Sequence, residues 1–126
     1  MRVVKTMDEL KIPAKHSKFI VEFLKQAQQI KTFNMIDMII LFGSCARGNA
    51  TLTSDVDIMA VGDGIGDETL FCLYDCAWYP GIEQGDNLVN NDVFVNDRLY
   101  FDQRSTIPGT LQWRVAKDGV ILNELL

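Results

Sequence analysis

The chain has 126 residues, 48% of them hydrophobic and 23% charged, which predicts one compact domain over residues 1–126 with a real core and excludes a disorder-prone composition. Its formal charge of −5 opposes capture of long DNA or RNA, which asks for a basic face, but leaves room for a small anion bridged to protein carboxylates by a divalent cation. No stretch approaches the roughly 20 apolar residues of a membrane span, and the N-terminal MRVVKTMDELKIPAK lacks a signal-like apolar centre, so a cytoplasmic location and no membrane partner are expected.

After Pro13, the segment Ser17 to Ile30 places Phe19, Ile20, Phe23, Leu24, Ala27 and Ile30 at helical spacing, which predicts an amphipathic helix. The continuous apolar run Met38 to Phe42, ending at Gly43, suits a strand buried on both faces. A Gly/Asn/Thr/Ser-rich loop then leads into a second strand made of Val56, Ile58, Met59, Ala60 and Val61, with Asp55 and Asp57 placed inside it. Gly62, Gly64 and Gly66 read as a flexible hairpin or lid, and Glu68 to Trp78 as helix or irregular structure. Leu88 to Val95 reads as a third strand interrupted by Asn90, Asn91 and Asp92. Thr110 to Lys117, followed by Gly119, reads as a helix with its C-terminal glycine, and Val120 to Leu122 as an edge strand.

Side chains alternate across a strand, so Asp55 and Asp57 project to one face, with Val56 and Ile58 turned to the core. Two carboxylates held side by side repel, and a cation compensates them, so the pair outlines a divalent-metal clamp. An isolated Asp-x-Asp is more often a solvated surface pair. Here, however, Phe42-Gly43-Ser44 lies just upstream, where a strand ending in glycine lets a backbone amide and a hydroxyl approach a phosphate.

Other readings fail on spacing or missing partners. Gly43 and Gly48 supply half of a P-loop, but Asn49 and Ala50 stand where Lys and Ser/Thr are required. The Gly62-x-Gly64-x-Gly66 spacing is not that of a dinucleotide fingerprint. Cys45, Cys72 and Cys76 form no Cys-x-x-Cys pair, and His16 is the one histidine, which argues against zinc and against Cys45 or Ser44 as an activated nucleophile. Cys72 and Cys76 are expected as buried, inert thiols, and Trp78, Tyr79 and Trp113 as core or interface residues.

Leu41-Phe42-Gly43-Ser44-Cys45-Ala46-Arg47-Gly48 followed by Ser54-Asp55-Val56-Asp57-Ile58 resembles the signature of the minimal nucleotidyltransferases of the DNA polymerase β superfamily. The resemblance runs from about Met38 to Leu122 and leaves residues 62–84 without a convincing counterpart. It implies an α/β (α+β) fold, a small mixed β-sheet backed by helices. The family pattern has a third acid on a following strand, where Asp92, preceding Val93-Phe94-Val95, matches best and Asp86 is the substitute. By the resemblance, Asp55, Asp57 and Asp92 are the catalytic and metal-holding residues, while Gly43, Ser44, Arg47 and Ser54 bind the nucleotide. For Arg47 a structural salt bridge is an equal alternative.

The implied cofactor is Mg²⁺, two ions during catalysis, and the implied substrate is ATP or another nucleoside triphosphate. The implied acceptor is a hydroxyl on a helical partner protein, as in toxin–antitoxin pairs whose antitoxin adenylylates the toxin. A small-molecule acceptor bound between subunits of a homodimer is the second reading, and a non-catalytic nucleotide- or partner-binding module the third.

Overall fold

In chain order the computed structural model, which describes residues 1–82 and 88–126, runs β1 (Arg2–Val3), α1 (Ala14–Ala27), β2 (Met38–Phe42), α2 (Ser44–Arg47), β3 (Val56–Gly62), α3 (Asp67–Ile82), β4 (Asn91–Asp97), α4 (Arg98–Ser105), α5 (Leu111–Asp118) and β5 (Val120–Ile121). The strands form one mixed sheet in the order β1-β5-β2-β3-β4. β2 is antiparallel to β3 and to β5, whereas β3 and β4 are parallel and α3 supplies the crossover that a parallel pair needs. The expected mixed sheet backed by helices is thus the fold. No helix among the described residues is long and apolar enough to cross a membrane.

Alternation along the strands divides the core in two. Ile39 and Leu41 of β2 join Val56, Ile58 and Ala60 of β3 and Val93 of β4 in one cluster with Phe19, Ile20 and Phe23 of α1 and Leu73 of α3. Ile40, Phe42, Met59 and Val61 face the opposite side, where Phe101 of α4 and Val115 of α5 cover them. Each fully buried large side chain contributes roughly 1.5–3 kcal/mol, so the first cluster, with the longer helices, dominates stability. Asp57 shares the parity of Met59 and Val61, and Asp92 that of Phe94, whose ring meets Phe42 at 5.7 Å between centroids. The acids therefore belong to the face covered by α4 and α5.

Several elements differ from expectation. α1 begins at Ala14, three residues before Ser17, because Pro13 takes the N-cap and its carbonyl accepts from the amides of His16 and Ser17. Ile30 lies in a tightened turn after the helix, its amide bonded to the Ala27 carbonyl, and still packs on the core. β4 starts at Asn91 rather than Leu88, so Asn91 and Asp92 open the strand instead of interrupting it. The glycine-rich stretch is not a hairpin but the turn from β3 into α3: Gly62 ends β3, and the Gly64 amide donates to Asp97 Oδ1 at 2.8 Å, tying that turn to the far end of β4.

α3 is a full helix whose inward residues, Thr69, Leu73, Cys76, Ala77 and Gly81, are mostly small. Trp78 and Tyr79 are 61% and 77% exposed and so are not core residues, and Cys72 is only partly buried. β5 is not an edge, since the two-residue β1 pairs outside it. Gly119 is not a left-handed helix cap, having φ −68°. A side chain there would instead run into the Val115 carbonyl and, at 2.7 Å, Ile40 Cγ2, so glycine lets α5 turn directly into β5.

Candidate active site

Asp57 and Asp92 are direct partners in the β3–β4 ladder, and alternation turns both to the same face. Asp55 immediately precedes β3 rather than lying in it, yet its carboxylate joins them. One oxygen from each of Asp55, Asp57 and Asp92 lies within 4.8 Å of the others. Asp57 is half-buried while Asp55 and Asp92 are exposed. Burial, then the charges of Asp92 and Asp55, push the Asp57 carboxyl up to about 6, with Arg47 opposing the shift. All-oxygen donors suit a hard divalent cation such as Mg²⁺, and the repulsion recorded in Asp57 is what such a cation relieves. The residues fit the ion.

β2 ends beside these acids, and Gly43 turns the chain away from them with φ +74°. A Cβ at Gly43 would land on Asp57 Oδ2. Glycine is therefore required twice over, by the backbone conformation and by the approach of the carboxylate. The Gly43 carbonyl accepts from the amides of Ala46 and Arg47 at 3.1 Å each, folding Ser44–Arg47 into the one-turn α2. Cys45 points inward, and its thiol donates to the Asp55 carbonyl at 3.4 Å. Burial, together with Asp57 and Asp55, pushes that thiol up to about 11, leaving it a protonated structural group.

A cavity of about 380 Å³ opens beside the acids, lined by Phe42, Gly43, Ser44, Arg47, Asp55, Asp57, Leu111, Arg114 and Asp118. Two arginines, Arg47 and Arg114, share this lining with the carboxylates of Asp55, Asp57 and Asp118. That is the charge pattern for a polyphosphate held partly by cations and partly by guanidinium groups. Arg47 forms no salt bridge within 4 Å among the described residues, though its charge acts on Asp57.

The structure thus gathers Gly43, Ser44, Arg47, Asp55 and Asp57 around one cavity, with Asp92 joined to it through the carboxylate cluster. Ser54 is not among the lining residues. Its hydroxyl accepts from the Thr51 amide at 2.8 Å and its carbonyl bonds His16 Nε2 at 2.7 Å, so it holds the loop before Asp55. Asp86 lies outside the described residues. Arg114 and Asp118 were not foreseen. Spacing held the signal: Leu111, Arg114 and Asp118 lie three and four apart on one face of α5. That face is fixed because the Thr110 hydroxyl accepts from the Trp113 amide, and buried Gln112 donates to Asn96 of β4 while accepting from Arg104 of α4.

The nucleotidyltransferase domain family matches residues 17–108, a span that holds Gly43, Ser44, Arg47 and all three acids but stops before Arg114. A crystal structure of a "putative nucleotidyltransferase" from Sulfolobus solfataricus is similar at 23% identity over 91% of this chain and 80% of that one, with a TM-score of 0.47. No curated protein matches. The family match covers well over half of the sequence: the chain belongs to the nucleotidyltransferase domain family. It is accordingly a nucleotidyltransferase.

Proposed function

We propose that this chain, acting as one domain in the cytoplasm, transfers AMP from ATP to a hydroxyl group of a partner protein, with Asp55, Asp57 and Asp92 as its metal-holding and catalytic residues. The observation that carries this reading is the cluster of three carboxylates, with oxygens within 4.8 Å, beside a cavity that also presents Ser44, Arg47 and Arg114.

Bound Mg²⁺ would supply charge neutralisation at the reacting phosphate. The protein's own contributions follow from placement. Ser44 and the Gly43 turn orient the terminal phosphates, and Arg47 and Arg114 hold the charge that gathers on the departing pyrophosphate. The acceptor oxygen bonds to the α-phosphorus as the bond from that phosphorus to the bridging oxygen breaks, and pyrophosphate leaves. Asp92 takes the acceptor proton. It suits this role because β4 is an edge strand and Asp92 is exposed there, open to a second substrate that Asp57, deeper in the sheet, could not meet.

A protein acceptor is favoured by the surface next to Asp92. Between α3 and the start of β4 lies a groove of about 310 Å³ bordered by Tyr74, Trp78, Ile82, Leu88, Asn90 and Asn91, the last of these adjoining Asp92 in the chain. Its apolar walls fit side chains of a polypeptide better than a polar metabolite.

Calorimetric titration with a non-hydrolysable ATP analogue, with and without Mg²⁺, tests the site. Binding should require Mg²⁺ and disappear in the Asp55→Ala/Asp57→Ala variant. Absence of binding by the wild type for ATP and the other three triphosphate analogues would end the enzyme reading of this site. Mass spectrometry of acceptor proteins incubated with ATP then asks whether AMP is attached to a hydroxyl side chain.

A further inference from the structure

His16 is fully buried on α1, outside the matched family span and away from the cavity lining. Its Nε2 lies 2.7 Å from the Ser54 carbonyl. A carbonyl can only accept, so Nε2 carries the proton and donates it. The other ring nitrogen, Nδ1, is buried and has no hydrogen-bond partner among the described residues. Leaving such a group unsatisfied is destabilising, because it is desolvated with nothing in return. An apolar ring would fill the same core position without that penalty, so stability alone does not account for histidine here. What histidine adds is one donor aimed at the residue before Asp55.

That donor belongs to a chain of restraints. The Ser54 carbonyl is held by His16, the Asp55 carbonyl by the Cys45 thiol at 3.4 Å, and the Val56 amide by the Asn90 carbonyl at 2.9 Å. The Ser54 amide and hydroxyl both close onto Thr51. Asp55 precedes the strand and its carboxylate is exposed, so the position of that carboxylate depends on these backbone anchors. Of the three successive anchors, only the one from His16 comes from a helix across the larger core cluster.

We propose that His16 is a positioning residue: its Nε2–H fixes the Ser54 carbonyl and thereby holds Asp55 at the distance from Asp57 and Asp92 that a shared divalent cation requires. The inference rests on the proposed metal-holding role of Asp55. Partners one step removed from a metal commonly change affinity by about 10–100-fold when lost.

The test uses Mn²⁺, followed by electron paramagnetic resonance in the presence of a non-hydrolysable ATP analogue, on the wild type, His16→Leu, His16→Gln and Phe23→Leu. Phe23 is fully buried on the same helix, so its variant controls for loss of core packing. Thermal unfolding is measured for all four. His16→Leu should weaken Mn²⁺ binding about tenfold, and His16→Gln, which keeps a donor, should recover most of it. Phe23→Leu should unfold at lower temperature and bind Mn²⁺ as the wild type does. Wild-type affinity in His16→Leu, or an equal weakening in Phe23→Leu, would overturn the role of His16 alone. A wild type that binds no Mn²⁺ would overturn the metal site itself and this inference with it.

Discussion

Gly43 and Asp57 constrain one another, and that pair shows how narrowly the site is specified at the level of single residues. Replacing Gly43 by Ala places a methyl group on Asp57 Oδ2 and also strains a backbone at φ +74°. The strain costs about 1 kcal/mol, but the displaced carboxylate matters more. Gly43→Ala should remain folded and lose Mg²⁺-dependent nucleotide affinity by about tenfold or more, as titration calorimetry would show. Asp57 gives the opposite balance. Its carboxyl is raised from 3.8 to about 6, so the folded chain holds that proton more tightly than the unfolded chain does. The associated stability is present below the unfolded value and lost as pH rises through about 6.

Metal-free wild type should consequently melt at a higher temperature at pH 5 than at pH 7, and Asp57→Asn should melt above wild type at pH 7 with a flatter pH dependence. Solvent screening of a half-exposed group keeps the gain to a few degrees. Mg²⁺ competes with the same proton, so its apparent affinity should fall about tenfold per pH unit below the Asp57 value. Much of this was legible in the sequence. A spacing of two residues points to Asp55 and Asp57 as a pair, even though Asp55 precedes β3, and the glycine before Ser44 marks a close approach. The Asp57 Oδ2 contact and the His16 donor were not legible, because both are made between segments that sequence patterns cannot bring together.

Elements were readable where large apolar residues face inward and obscure where they do not. β2 and β3 declare themselves by continuous apolar runs, and α5 by Leu111 and Val115. α3 hides because its buried stripe is Thr69, Leu73, Cys76, Ala77 and Gly81 while Phe71, Tyr74 and Trp78 point outward. α4 hides because Phe101 is its one buried residue. The start of β4 was displaced for a related reason: Leu88 is apolar but exposed, and strand pairing begins at Asn91. α5 carries the part of the cavity that the motif does not include, held there by Gln112. Gln112→Leu strands Asn96 Oδ1 and the Arg104 guanidinium that Gln112 now satisfies, and should cost about 1–3 kcal/mol in urea denaturation. Arg114→Ala removes an exposed side chain from the cavity wall. Stability should change by less than about 0.5 kcal/mol, while affinity for the triphosphate analogue falls several-fold.

At the scale of the whole molecule, two surfaces flank the edge of the sheet that carries Asn91 and Asp92 at the start of β4. The cavity proposed for the nucleotide lies on the face of α5, and the aromatic face of α3 lies on the other, with Asn91 lining the groove there. Phe71, Tyr74 and Trp78 are each about half exposed or more. Aromatic side chains offer roughly 150–250 Å² apiece, so together they present on the order of 300 Å² of apolar surface, in the range where a patch on a monomer is often functional. The helix also carries Asp67, Glu68 and Asp75 and no basic residue, and the chain as a whole has a formal charge of −5. This surface complements a basic polypeptide with apolar side chains, the acceptor class proposed above, better than a long nucleic acid. Trp78→Ala should then raise the KM for the acceptor polypeptide about tenfold, the scale of a buried aromatic anchor, without changing Mg²⁺-dependent binding of the ATP analogue. Steady-state kinetics with acceptor and ATP varied in turn separates the two. An equal rise in the KM for ATP would place Trp78 in the nucleotide site instead, and an unchanged acceptor KM would remove the α3 face from acceptor recognition.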